Sequence, residues 1–446
     1  MTRPASSRPS RGILILDMSY TLKMFRERQL GQALESRKLN GYFDRIISVH
    51  PLAALFETGP ARYGKPTVTT LDESHVFVEG KLGLAPMPVV LAPFNFVLAQ
   101  VGLVRLLLRM ARESRTSVVR VGDPYYLGVM GWTLARLLGV PLVVRVPFRY
   151  DEIRRITGRA AMPRLLRFGW IEKRLERFIF PRCDLIAGAN EDNMRYALEN
   201  GGRPEVATVF RYGNLLHPSH WVEPGQRPDP ARELSALGLA GTRFVATVAR
   251  LEAEKRVGDA IRVVAELAKR GCDVSGLIIG DGSLRPQLAE LAQDLGVGNR
   301  IVFAGTRPQE WISTVLPHAA VIVSPHMGRA LVEAALSAVP IVAYDYDWQR
   351  EVAIDGETGY LVKNGDWREM ADRTEALLAD PQFAHKLGTQ ARALASRMMD
   401  PASLEAHEQA TYSALLTQWA ALGTWTGLPN RQAASSRGPC STPFAK

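Results

Sequence analysis

Short β-branched runs alternate with amphipathic helical stretches along the whole 446-residue chain. That alternation leaves few folds open. Strands separated by helical crossovers pair in parallel, and a parallel sheet must be covered by helices on both faces. The second half is the more legible. Phe244–Val248, Val274–Ile279, Ile301–Ala304, Val321–Val323 and Ile341–Tyr344 read as strands. Val257–Lys269, Leu284–Leu295, a stretch near Glu310–Leu316 and Ala330–Ala338 read as the helices between them. In the first half the strand candidates are Ile13–Leu16, Ile46–Ser48, Ser117–Val121, Leu142–Val146, Leu185–Ala187 and Ala207–Phe210.

A chain of this length exceeds one ordinary domain. Pro218, Pro224, Gly225, Pro228 and Pro230 crowd one short segment and mark a linker. The expected division is a basic N-terminal lobe (1–225), a C-terminal lobe (226–402), a last helix (403–424) packing back on the first lobe, and a tail (425–446). That tail is rich in Gly, Pro, Ser and Ala, and disorder is expected there. The fold class is thus α/β, two Rossmann-like doubly wound lobes facing each other. A ligand is expected in the crevice between them, at the carboxyl ends of the strands.

Charge separates the halves. Residues 1–220 hold 32 Lys and Arg against 19 Asp and Glu, whereas the remainder holds 23 against 26. An anionic partner on the first lobe follows from that asymmetry. Two stretches interleave basic and apolar positions as a helix on an anionic membrane surface would: residues 163–182, with Trp170, and residues 103–115, with Arg105, Arg109, Arg112 and Arg115. No DNA- or RNA-binding signature accompanies the charge. Val89 to Leu108 is the most apolar run, but Pro93, Asn95, Gln100 and Arg105 interrupt it, so no membrane span is expected. Cys183, Cys272 and Cys440 stand alone, as reduced thiols of a cytoplasmic protein would.

Three segments of the second lobe converge on a diphosphate. Val248-Ala249-Arg250-Leu251-Glu252-Ala253-Glu254-Lys255 leaves a strand end with two cations able to neutralise a departing diphosphate. In Ser324-Pro325-His326-Met327-Gly328-Arg329-Ala330-Leu331-Val332-Glu333, Gly328 permits a sharp turn into a helix N-terminus, which favours an anion. Glu333, about one turn on, is placed to accept ribose hydroxyls. Ile278-Ile279-Gly280-Asp281-Gly282-Ser283 is a strand ending in a glycine turn, a weaker signal. Asp345-Tyr346-Asp347 has the form of a metal-binding DxD, but two carboxylates without further ligands make a poor magnesium site, and no metal is expected.

In this order and spacing the segments resemble the donor lobe of family 4 glycosyltransferases, whose fold is GT-B. The resemblance runs from Phe244 through Glu351-Val352-Ala353-Ile354-Asp355-Gly356-Glu357-Thr358-Gly359-Tyr360-Leu361-Val362. It extends more loosely to Asp123-Pro124-Tyr125-Tyr126-Leu127-Gly128, Leu138–Val144 and Ala187–Glu191. It implies that Arg250 and Lys255 hold the donor diphosphate as the catalytic cations and that Glu333 binds ribose. Gly328, Arg329 and Ala330 would touch phosphate, and His326, Asp281 and Gly282 complete the donor side. Asp123, Tyr125 and Arg149 fall to the acceptor side. The family is usually retaining and metal-independent, and the departing phosphate can take the acceptor's proton. No cofactor is implied beyond the nucleoside-diphosphate sugar itself.

The chain departs from that pattern in three places. Pro325 stands where the family carries a glutamate that contacts the transferred sugar. Pro147-Phe148 replace a His-Gly pair, and Ser19-Tyr20-Thr21-Leu22 replace paired glycines. Either the donor sugar is unusual, with His326, Arg329 or Arg149 substituting, or catalysis has been lost. The expectation is a cytoplasmic glycosyltransferase, peripheral at the inner membrane face, that moves a sugar to a glycan or lipid-linked acceptor of the cell envelope. A silent scaffold relative and a nucleotide-sugar epimerase of the same architecture are the alternatives.

Overall fold

The computed structural model describes residues 11–27, 30–158, 160, 168–212 and 216–421. The expected disordered tail and residues 163–167 of the first basic stretch lie outside them. The chain builds two parallel sheets. The N-terminal one contains β1 (Gly12–Leu16), β2 (Arg45–His50), β3 (Thr67–Thr70), β4 (His75–Glu79), β5 (Thr116–Val121), β6 (Leu142–Val146), β7 (Leu185–Gly188) and β8 (Ala207–Val209). Their order is β3-β4-β2-β1-β5-β6-β7-β8, all parallel except the β3–β4 pair. The C-terminal sheet contains β9 (Phe244–Val248), β10 (Ser275–Ile279), β11 (Ile301–Gly305), β12 (Val321–Ser324), β13 (Ile341–Asp345) and β14 (Gly359–Lys363). Its order is β11-β10-β9-β12-β13-β14, parallel throughout.

Both sheets reverse direction beside their first strand, β1 against β5 and β9 against β12. Loops leaving two neighbouring strands at such a switch point diverge to opposite faces, which opens a crevice at the carboxyl edge. β1, β6, β9 and β12 are buried along their whole length, as strands sandwiched between two helical layers must be. The helix Val257–Lys269 shows the complementary pattern. It buries Val257, Ala260, Ile261, Val263, Val264 and Leu267 and leaves Arg262, Glu266 and Lys269 on its outer, partly exposed side.

Two differences from the sequence expectation have clear causes. The helix after β12 stops at Ala335 rather than Ala338. Arg227, from the proline-rich linker, donates to the carbonyls of Leu336 and Ser313, and Arg392 donates to Leu336 as well. These guanidiniums take up the carbonyl at the helix end, and Ala338 turns to φ +58. The apolar run from Val89 is helical from Ala92 to Glu113, long and apolar enough by length and composition to cross a membrane. Its interruptions do not break it. Pro93 lies in the first turn, and Asn95 is buried, where it accepts from Leu84 N–H and donates to the Ala85 carbonyl.

The last helix, Pro401–Ala421, returns to the N-terminal sheet. Tyr412 and Leu415 pack with Ile13, Ile15, Phe43 and Phe210, and Trp419 Nε1 donates to the Gly139 carbonyl.

Candidate active site

The two carboxyl edges face each other across a cleft of about 1290 Å3. Its C-terminal wall is made by the loops after β9 and β12. Lys255 reaches into the cleft from the β9 loop, and burial pushes its amine below the ordinary lysine range. Gly328 sits opposite with φ +68, where a Cβ would stand 3.4 Å from Lys255 Nζ. Glycine therefore supplies both the left-handed turn and the room for the ammonium. Arg250 also lines the cleft but remains exposed, and it donates to Glu254 at 3.1 Å.

Glu333 faces the same space from inside its short helix and is 3% exposed. Burial raises its carboxyl above the usual carboxylate range, against the pull of Arg329, whose Nε stands 3.8 Å away. Gln309 also hydrogen-bonds the carboxylate, which still has acceptor capacity left for a ligand's hydroxyls. Arg329 and Ala330 line the wall beside it.

His326 is fixed on both sides. Its Nδ1 meets the Glu254 carbonyl at 3.0 Å, its Nε2 meets Asp347 Oδ2 at 3.1 Å, and its ring stands edge-on to Tyr346. Asp347 adopts φ +54, an uncommon conformation for a residue with a side chain. Beneath this loop lies Gln349, fully buried. Its Nε2 donates to the carbonyls of Pro325 and Tyr344, and its Oε1 accepts from Ser324 Oγ. Gln349 thus sets the path of Pro325–Met327, a positioning role no sequence motif announced. The DxD carboxylates are engaged by basic side chains, Asp345 with Arg350 and Asp347 with His326.

Asp281 lines the cleft rim and pairs with Arg285. Gly282 does not line it. A Cβ there would come 2.5 Å from the Leu251 carbonyl, so Gly282 allows two loops to pack instead of touching a ligand. Asp123 and Tyr125 also require correction, because both turn inward at the start of the helix Tyr126–Leu138. Asp123 accepts from Tyr125 N–H, and burial pushes its carboxyl up to about 7. The Tyr125 hydroxyl donates to Glu176 in the lobe interior. The helix Gly169–Ile179 likewise buries Glu172 and Glu176 against the lobe, with Arg154 bonded to both.

The N-terminal wall is built largely from residues that no motif flagged. Arg149 is in place, tied to Asp192, Asp151 and Glu199. Around it stand Asp17 after β1, Arg37 donating to Asp17 at 2.9 Å, and Arg120 and Arg145, both near Glu408 of the last helix. Arg120 and Arg145 are charged positions inside otherwise apolar strands, and that was the available signal. The lobes touch beside the cleft. Glu351 pairs with Arg211 and caps the helix Glu191–Glu199, while the Tyr346 hydroxyl donates to Glu152 Oε1 at 2.6 Å.

Known proteins resemble this chain in sequence and in fold. The sequence profile of the family described as glycosyl transferases group 1 matches residues 235–394. The chain is 33% identical over 274 residues to alpha-D-kanosaminyltransferase of Streptomyces kanamyceticus, which is 59% of this chain and 68% of that one. It is 32% identical over 235 residues to D-inositol 3-phosphate glycosyltransferase of Nocardia farcinica, about half of each chain (50% and 51%). Anabaena HepE, solved in complex with UDP, superposes over 90% of this chain and 100% of its own with a TM-score of 0.63 at 20% identity. At that identity the likeness speaks for the fold alone, and the fold is GT-B. The chain belongs to the group 1 glycosyltransferases.

Proposed function

We propose that the protein transfers a sugar from a nucleoside diphosphate donor to an anionic acceptor, with retention at the anomeric carbon. One observation carries the reading: Lys255 Nζ, the Gly328 turn and the buried Glu333 carboxylate converge where β9 and β12 diverge. Lys255, with Arg250 at the rim, neutralises the diphosphate as the glycosidic bond to it breaks. Glu333 accepts the ribose hydroxyls, and the leaving phosphate oxygen takes the acceptor's proton, so no separate base is required. The chain's own cations supply the countercharge, and the reading calls for no metal. His326, held against Asp347, replaces the missing glutamate at Pro325 as a contact of the transferred sugar.

The acceptor is assigned to the N-terminal wall, where Arg37, Arg120, Arg145, Arg149 and Arg211 line the cleft. The basic first half and the likeness to an enzyme named for inositol 3-phosphate both favour an acceptor bearing phosphate or another anionic group. The same reading places the reaction in the cytoplasm, a compartment in which free thiols such as Cys183 and Cys272 stay reduced.

Calorimetric titration of the protein with UDP, GDP, ADP and their sugars tests the donor site, repeated on Lys255→Ala. Binding of one nucleotide, strengthened by one sugar and lost in the variant, supports the reading. No binding across the panel overturns it and leaves a silent scaffold subunit as the better account.

A further inference from the structure

We infer that the N-terminal lobe docks on an anionic membrane surface through the projecting end of the helix Ala92–Glu113, so that the cleft opens towards the lipid. The inference goes beyond the proposed reaction and does not depend on it.

The geometry begins with length. Twenty-two helical residues span about 33 Å, whereas the six residues of β5 span about 20 Å, so the helix overhangs the sheet. It connects β4 to the parallel strand β5 and so runs against the strands. Its N-terminal end therefore lies at the carboxyl edge, where the cleft opens. That end is apolar and bare. Val90 is 89% exposed and Phe94 63%, with Val97 and Val101 continuing the same face at three- and four-residue steps. Leu84, Met87, Val89 and Leu91 extend the patch into the preceding loop. The opposite face is committed to the lobe through Asn95, Ala99, Leu103, Leu107 and Ala111.

The same outer face then changes character. Arg105, Arg109 and Arg112 follow, all exposed, with Arg105 about 6 Å beyond Val101 along the axis. Apolar tip first and cations behind is the order in which a bilayer presents acyl chains and anionic headgroups. Trp170, 61% exposed at the start of the helix Gly169–Ile179, and Phe148 after β6 lie at the same carboxyl edge. An aromatic there suits the interface. The helix dips only its tip into the membrane rather than crossing it, because its inner face packs on the lobe and the Asn95 amide is already satisfied there.

The test is co-sedimentation of the full chain with vesicles of phosphatidylglycerol and phosphatidylcholine, against vesicles of phosphatidylcholine alone. The wild type should partition at least tenfold better onto the anionic vesicles, and 0.5 M NaCl should weaken that binding. Phe94→Asp with Val97→Asp, and separately Arg105→Glu with Arg109→Glu, should each reduce it at least tenfold. Circular dichroism melting confirms that the variants are folded. Three results would each overturn the inference. One is equal partition onto neutral vesicles; another is retention by both double variants. The third is association that survives an alkaline carbonate wash, which marks a span. Patch-dependent dimers in sedimentation velocity, without vesicle binding, would assign the surface to a second copy of the chain instead.

Discussion

Glu351 of the C-terminal lobe accepts the backbone N–H of Glu191, in the N-terminal lobe, at 2.9 Å. The same carboxylate takes the Asp192 N–H at 3.3 Å and pairs with Arg211. A carboxylate at a helix N-terminus satisfies donors that would otherwise be orphaned, and here the helix and the carboxylate belong to different lobes. This cap and the Tyr346–Glu152 hydrogen bond both tie the two lobes together beside the cleft.

Glu351→Ala should therefore open the molecule. It leaves two helix N–H groups and the Arg211 guanidinium without their shared partner. We expect kcat/KM for transfer to fall about tenfold, because misplacing one reactant weakens the gain from orientation. Small-angle scattering should show a larger radius of gyration. Tyr346→Phe removes a single hydrogen bond of about 1 kcal/mol, about fivefold in the closed population. A variant as compact and as active as the wild type would show that the cap does not control closure.

The two donor-side cations should not be equivalent. Lys255 is half-buried beside Gly328, whereas Arg250 is exposed and shares its charge with Glu254. Lys255→Ala should weaken nucleoside diphosphate binding by about 100-fold, Arg250→Ala by about fivefold, since charge-assisted bonds gain strength away from water. Calorimetry on the two variants decides this. Equal losses would mean that Arg250 moves onto the phosphate when ligand binds.

Glu333 should trade stability for binding. Its folded pKa is raised by burial, so the stability tied to its protonated form is present below the ordinary glutamate pKa and lost as pH rises through the folded value. Above the folded pKa the ionised side chain is a burden on the unliganded protein. Glu333→Gln should raise the melting temperature by about 2 °C while weakening nucleotide binding about tenfold. Lower stability at pH 7 would indicate that Arg329 and Gln309 already compensate the charge.

Why some of this was legible in the sequence, and some not, has a physical basis. Strands buried on both faces are mostly apolar, and Phe244–Val248 and Leu142–Val146, interrupted only by Thr247 and Arg145, stand where the pattern put them. The edge strand Thr67–Thr70 is mostly exposed and carries no apolar rhythm, and its partner His75–Glu79 begins with a buried histidine bonded to Ser48. Lys255, Gly328 and Glu333 were readable because their chemistry is compressed into two loops. The N-terminal wall was not, since Asp17, Arg37, Arg120, Arg145 and Glu408 meet only through tertiary structure. Asp123 and Tyr125 follow a strand end, as cleft residues do, but the helix beginning at Tyr126 turns them inward.

That inward turn gives Asp123 a pH signature of its own. Its carboxyl rises from 3.8 to about 7 because burial penalises the charge more than the Tyr125 and Leu127 N–H groups favour it. The stability it contributes is complete below about pH 4, declines as pH climbs to about 7, and is gone above that. Asparagine keeps an oxygen for the same N–H groups and never ionises. Asp123→Asn should match the wild type near pH 4 and melt about 3 °C higher at pH 8. Thermal melts of both proteins across that range measure the difference directly. A constant offset between the two curves would mean that Asp123 titrates normally and that its acidity is balanced inside the lobe.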